Sequence, residues 1–220
     1  MYKLNFTVVW DRFPELLIGI LATIGLASSG IILALLIGIA GALLRQTNII
    51  TLHYCVRIFV EVIRNTPFLV QIFFLFFALP FLGMKMNPTM TAIIALSLNG
   101  GAYAIEIIRG GIASVPRGQR EAGLAIGLTK LDVFFFVILK PALRAIYPAL
   151  ASQFILTLLT SSVCASIAAF ELTSMAQKIE SDTFRSFEVY FAITAIYLTL
   201  SWFFMLGFRL IGRLAFNYPN

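Results

Sequence analysis

Polar side chains set inside apolar runs are the residues of this chain that can do chemistry, because each is costly in lipid unless it faces a cavity or another helix. Two helical stripes of them occur. Gln153, Thr157, Thr160 and Ser161 stand at i, i+4, i+7 and i+8 of one apolar stretch, with Ser162 beside them. Asn99, Tyr103 and Glu106 stand at i, i+4 and i+7 of another. Each set falls on one face of an α-helix, where amides, hydroxyls and a carboxylate can line a cavity for a polar solute. The same spacing serves helix packing, in which Ser, Thr and small residues are common, and Glu106 can equally pair with Arg109 at a membrane surface. Both readings stand on these residues.

Covalent and metal chemistry find little support. His53 is the single histidine and sits beside Tyr54 and Arg57, with no second titratable group at helical spacing deep in an apolar run to complete a proton relay. Cys55 and Cys164 are far apart and stand in no CxxC or Cys/His spacing, so both are read as packing residues. A membrane enzyme is disfavoured by the lack of HExxH and of a Ser/His/Asp set. The chain also has no GxxxxGK(S/T) phosphate loop, so any ATP used on its behalf is hydrolysed elsewhere.

The scaffold that must hold these stripes follows from composition. Of 220 residues, 60% are hydrophobic and 12% charged, with a mean hydropathy of +0.95, more apolar surface than one soluble core can hide. An all-α integral membrane protein is expected, since a crossing helix needs about 20 apolar residues rising about 1.5 Å each and leaves no backbone group open to lipid. Five stretches qualify. The first covers about 16–44, between Pro14 and the Arg45/Asn48 break, and is uncharged. The second starts at Thr66/Pro67 and reaches Pro80, after an amphipathic piece with Arg57, Glu61 and Arg64 that is expected to lie at the interface. The third covers about 89–108. The fourth, about 149–169, follows a half-polar helical lead-in at 131–147, and the fifth covers about 189–210. Asp11 and Glu15 precede the first run, unlike the basic flank of a signal peptide, so all five are expected in the mature chain. No repeat, low-complexity tract or soluble domain boundary interrupts them; residues 1–220 read as a single membrane domain.

An odd number of spans puts the termini on opposite sides. With the first span running inward, the inner segments hold Arg45, Arg57, Arg64, Arg109, Arg117, Arg120, Lys130, Lys140, Arg144, Arg209 and Arg213, eleven of the sixteen basic residues, but only four of the ten acidic ones. The positive-inside rule then places the N-terminus outside and the C-terminus in the cytoplasm. It also accounts for the net charge of +6 without nucleic acid. Trp10, Phe13, Phe216 and Tyr218 flank the outermost spans as interface anchors.

The longest inner loop, about 109–130, is where a cytoplasmic partner would dock. Ser114 as N-cap, Pro116 just inside and Gly127 as C-terminal stop predict a short helix. Glu121 stands on it beside the small residues Ala122, Gly123, Ala125 and Gly127. Small side chains let another backbone approach closely, while the charges set its orientation. An amphipathic helix lying on the lipid surface would satisfy the same composition.

This loop resembles the EAA loop of ABC importer permeases, whose pattern is Glu-Ala-Ala, three residues, Gly, then nine residues and an Ile-x-Leu-Pro ending. Glu121-Ala122-Gly123 and Gly127 match, and Val137-Ile138-Leu139 falls at the ending. Gly123 replaces the second Ala, and Lys140 takes the Pro slot with Pro141 one residue later. The flanks are similar to polar amino acid permeases. Arg64-Asn-Thr-Pro-Phe-Leu-Val-Gln71 looks like that family's Arg-Gly-Thr-Pro-Leu-Leu-Val-Gln, with Asn65 for Gly. Asn99-Gly-Gly-Ala-Tyr-Ala-Ile-Glu106 and Arg109-Gly-Gly-Ile-Ala-Ser-Val-Pro-Arg-Gly-Gln119 follow in the same order.

What the resemblance implies is a five-span permease subunit of the type I ABC importer (MetI-like) fold in the bacterial inner membrane. Such a subunit pairs with a second permease, docks on nucleotide-binding subunits that carry ATP and Mg, and receives substrate from a periplasmic binding protein; it has no cofactor of its own. Arg117, Gly118, Glu121, Ala122, Gly123 and Gly127 would couple to the ATPase. Gln153 matches a fourth-span position that varies with substrate charge in that family, so Gln71, Asn99, Tyr103, Gln153, Thr157, Thr160, Ser161 and Ser162 are the candidate substrate residues. Where members carry Lys-Asp/Asn-Thr-Ser this chain has Leu159-Thr160-Ser161-Ser162. The missing charge points to pairing with a different permease rather than an identical one. The rival, an ATP-independent channel or secondary transporter, predicts intramembrane charge relays or inverted repeats, and neither is found.

Overall fold

A computed structural model describes residues 3–47 and 49–216, with the Phe216 side chain left out. The expectations for Asn48, Tyr218 and the Phe216 side chain therefore lie outside the described residues. Every regular element described is a helix. After a short α1 (Thr7–Asp11), helix α2 runs without interruption from Phe13 to Leu44. Pro14 suits its first turn, and Glu15 sits where the helix dipole favours an acid. Its C-terminus is closed by His53, whose Nδ1 lies 3.2 Å from the Arg45 carbonyl oxygen.

Helix α5 (Pro88–Ser114) packs along α2 through small residues. Gly30, Ala34, Gly38 and Ala42, one every four residues, are all buried. A Cβ on Gly38 would stand 2.5 Å from Ala104 Cβ, and one on Gly41 would stand 2.4 Å from Ile105 Cδ1. Lipid tails are as apolar as leucine, so close backbone approach rather than hydrophobicity holds such a pair together.

The second crossing differs from a straight helix over 66–80. Helix α3 (Ile50–Arg64) and the stretch Phe68–Leu82 meet at a bend of 110°. The latter comprises α4 (Phe68–Phe73), a π-turn and a 3₁₀-turn. Pro67 bars the residue before it from helical geometry, and the 15 residues that follow rise only about 22 Å. Together the two pieces are long and apolar enough for one broken span or a re-entrant loop, beside four long apolar helices. Nor is α3 merely an interface helix: Val60 is buried with Ala102 and Ile105 of α5, and Ile63 packs on the same cluster.

The other boundaries also shift. Helix α5 reaches six residues past 108, because Ser114 Oγ donates to the Gly111 carbonyl and closes that helix instead of capping the next. The expected lead-in and fourth span form one path over Lys130–Ile167. It comprises α7 (Lys130–Asp132), a π-helical stretch, α8 (Leu139–Thr160) and a 3₁₀ segment (Ser161–Ile167). Lys140 and Arg144, in the half-polar lead-in, are the charged end of α8 itself. An unforeseen α9 (Leu172–Thr183) then precedes α10 (Ser186–Phe216). The fully buried Glu171 caps α9, accepting from Thr173 N, Ser174 N and Tyr197 OH at 2.7–2.8 Å. Cys164 is buried as expected, whereas Cys55 is exposed on α3 rather than packed.

Candidate functional site: a polar seam and a proud helix

The bend at 65–67 leaves the last carbonyls of α3 without helical partners. Gln71, one turn into α4, answers them: its Nε2 donates to the Ile63 carbonyl at 2.7 Å and to the Thr66 carbonyl at 3.0 Å. Its Oε1 accepts from Asn99 Nδ2 at 2.9 Å. The predicted face of α5 therefore looks at the bend. One turn along, the Arg64 guanidinium lies over the Tyr103 ring, 5.2 Å from its centroid. One turn further, Glu106 is held between Arg45 and Arg109, with Arg109 Nη2 donating to Oε2 at 2.7 Å. The pairing of Glu106 with Arg109 foreseen from spacing is present, and Arg45 of α2 joins it.

Arg45, Arg64, Tyr103, Glu106 and Arg109 line a cavity of about 460 Å³ together with Arg57, Val60, Glu61 and Asn65, while Gln71 and Asn99 lie outside its lining. Four guanidinium groups face two carboxylates there, and Arg45 Nε is buried with no hydrogen-bond partner among the described residues. Such a mouth favours anionic groups. Arg45 and Arg64 were not among the predicted site residues, although basic side chains at the ends of apolar runs were the available signal.

The stripe on the fourth span divides. Thr157 and Ser161 are buried within the chain, Thr157 against Gly100 of α5. Their hydroxyls donate to the Gln153 and Leu158 carbonyls of their own helix, as Ser162 does to Leu159. Gln153 and Thr160 are partly exposed, and their side chains hydrogen-bond to nothing among the described residues. An amide in that setting requires water or another chain.

At the far end of α5, α6 (Arg117–Ala125) follows Pro116, which bears no side-chain cap. Arg117, Gly118, Glu121 and Ala122 are exposed, and Gly123 alone on this helix is buried. A Cβ at Gly123 would meet Val133 Cγ2 at 3.0 Å, which accounts for glycine in place of a second alanine. Gly127, at φ +87°, ends the helix. Its N–H donates to the Leu124 carbonyl and that of Leu128 to the Gly123 carbonyl, the double bond pattern of a Schellman stop. Thr129 and Asp132 then cap α7 reciprocally.

Residues 34–216 match the family described as binding-protein-dependent transport system inner membrane component. The chain is 34% identical over 201 residues to the glutamine transport system permease protein GlnP of Escherichia coli strain K12, covering 90% of this chain and 92% of that one. It is 39% identical over 181 residues to the L-cystine transport system permease protein TcyB of Bacillus subtilis strain 168, covering 80% and 77%. Among solved structures, a chain of an amino acid ABC transporter crystallised with histidines superposes with a TM-score of 0.91 at 32% identity, over 96% of this chain and 99% of that one.

Proposed function

Because this chain belongs to the binding-protein-dependent transport system inner membrane components and is a permease component of amino acid ABC importers, we propose that its two polar features divide the work of transport. The seam of Gln71, Asn99 and Tyr103, with the partly exposed Gln153 and the hydroxyls of Thr160 and Ser162, handles the polar ends of the amino acid. Thr157 and Ser161 support that lining from behind. Helix α6 is the handle by which a separate nucleotide-binding subunit, carrying ATP and Mg, moves the spans.

The observation that carries this reading is the exposure of α6 on every side but Gly123. Nine residues cannot sustain a helix alone, so this one is held by its stop, its contact with Val133 and its junction with α5. It stands between two spans. A displacement of α6 is transmitted to α5 through 115–116 and to the fourth span through Gly123 on Val133, a rigid-body route to alternating access. Arg117, Gly118, Glu121 and Ala122 form its outward surface, with Gly127 fixing where it ends. A second permease, identical or different, completes the path beside Gln153, and a periplasmic binding protein delivers the substrate. The N-terminus lies outside and the C-terminus in the cytoplasm of an inner-membrane protein.

Glu121→Lys and Ala122→Trp test this. Both leave the buried Gly123 contact intact, so membrane insertion and thermal stability are expected to hold while the co-purifying ATPase and substrate uptake are lost. Retention of a stoichiometric ATPase and of uptake in both variants would sink the proposal.

A further inference from the structure

A cavity of about 660 Å³ lies away from the seam, in a groove between α8 and α10. Pro148, Ala151, Ser152 and Ile155 line one wall at helical spacing, and Met205, Phe208 and Gly212 the other. Tyr147 sets the groove's depth. Its hydroxyl donates to the Phe208 carbonyl at 2.6 Å, and a Cβ on Gly212 would stand 2.7 Å from its ring. The two helices run antiparallel here, so Arg144 of α8 meets Arg209 and Arg213 of α10 at one end, while Ile155 and Met205 lie deeper.

The charge in this groove is unanswered. Arg144, Arg209 and Arg213 are all exposed and make no ion pair among the described residues. No Asp or Glu occurs over 139–160 or 189–216. The other inner-face arginines around Glu106 and Glu61 are, by contrast, arranged about carboxylates. From Arg144 to Ile155 the groove extends about 16 Å along the helix, cationic at one end and apolar beyond, the polarity of a phospholipid rather than of a free anion or an amino acid. A second permease would have to bring its own acids to this end.

We infer that the α8/α10 groove is a binding site for an anionic phospholipid, with its phosphate on Arg144, Arg209 and Arg213 and an acyl chain along Ile155, Met205 and Phe208. Basic pockets between membrane helices hold acidic headgroups in this way, and each basic side chain near the surface contributes about 1 kcal/mol.

The test uses the full-length chain in nanodiscs of equimolar phosphatidylglycerol and phosphatidylcholine, released into a mass spectrometer under native conditions. Retained phosphatidylglycerol is expected to exceed phosphatidylcholine by well over the roughly fivefold that one such basic contact alone is equivalent to. The ratio is expected to fall at least about fivefold in Arg144→Gln/Arg213→Gln, which leaves only Arg209, but not in Arg120→Gln/Lys130→Gln, which removes the same charge elsewhere on the inner face. Ser152→Phe, which fills the apolar half and keeps every arginine, is expected to release the lipid as well. Equal retention of the two lipids by the unaltered chain, or equal losses in the two charge-removal variants, would overturn the inference. So would a photoreactive group at position 155 that forms its adduct in the native membrane with a protein chain instead of a lipid.

Discussion

At the scale of single residues, the site depends on a few side chains that finish helices. Gly127 is the clearest, because its positive φ is one that a Cβ disfavours by about 1–2 kcal/mol. Gly127→Ala should therefore fray α6 without touching any other element. Amide hydrogen exchange is expected to quicken over 117–128 and stay unchanged in α5, and uptake should fall with it. Gln71 and Asn99 make a second test. Their side chains bond to each other across two elements, so Gln71→Leu and Asn99→Leu should be non-additive in thermal stability, with a coupling of about 0.5–1.5 kcal/mol. Additive losses would mean that the contact is idle. The face formed by Asn99, Tyr103 and Glu106 was legible in the sequence because helical spacing is a local property. Gln71 was a candidate through the family resemblance, but its bond to Asn99, and the partners Arg64 and Arg45, were not legible, since those meetings depend on where a 110° bend points.

At the scale of elements, hydropathy located the spans but misplaced their joints. The second span rightly starts at Thr66/Pro67, where the chain breaks, but charge on 57–64 hid that α3 passes as a membrane segment only together with the stretch after the bend. Likewise, the half-polar lead-in at 131–147 reads as helical, but Lys140 and Arg144 hid that it is continuous with the fourth span. Ser114 satisfied the composition of an N-cap, yet its hydroxyl served the helix behind it. The four-residue spacing of Gly30, Ala34, Gly38 and Ala42 was present in the sequence but hidden by an average that scores glycine and alanine near neutral. It is nonetheless what joins α2 to α5. Gly38→Leu, forced against Ala104, is expected to insert in the membrane but to unfold in detergent at a temperature at least about 10 °C lower, as a loss of several kcal/mol requires. Ile39→Ala, which alters an exposed side chain on the same helix, should leave that temperature nearly unchanged.

At the scale of the whole molecule, the polar features fall into an order that only one orientation makes useful. The arginine-rich mouth at Arg45, Arg64 and Arg109, the proud helix α6 and the arginine end of the α8/α10 groove all follow inward-running spans in the proposed topology. Glu171 and α9 lie at the opposite ends. The two cysteines can decide this orientation without new mutations, because Cys164 is completely buried and Cys55 is exposed on α3, which the proposed topology puts on the inner side. A membrane-impermeant maleimide is expected to label the unaltered chain in inside-out vesicles and to leave it unlabelled in right-side-out ones. Ala125→Cys on the exposed α6 should show the same sidedness, and its labelling should drop when the ATP-hydrolysing partner is bound. Labelling of either site from outside would reverse the molecule, placing α6 where no nucleotide-binding subunit can reach it.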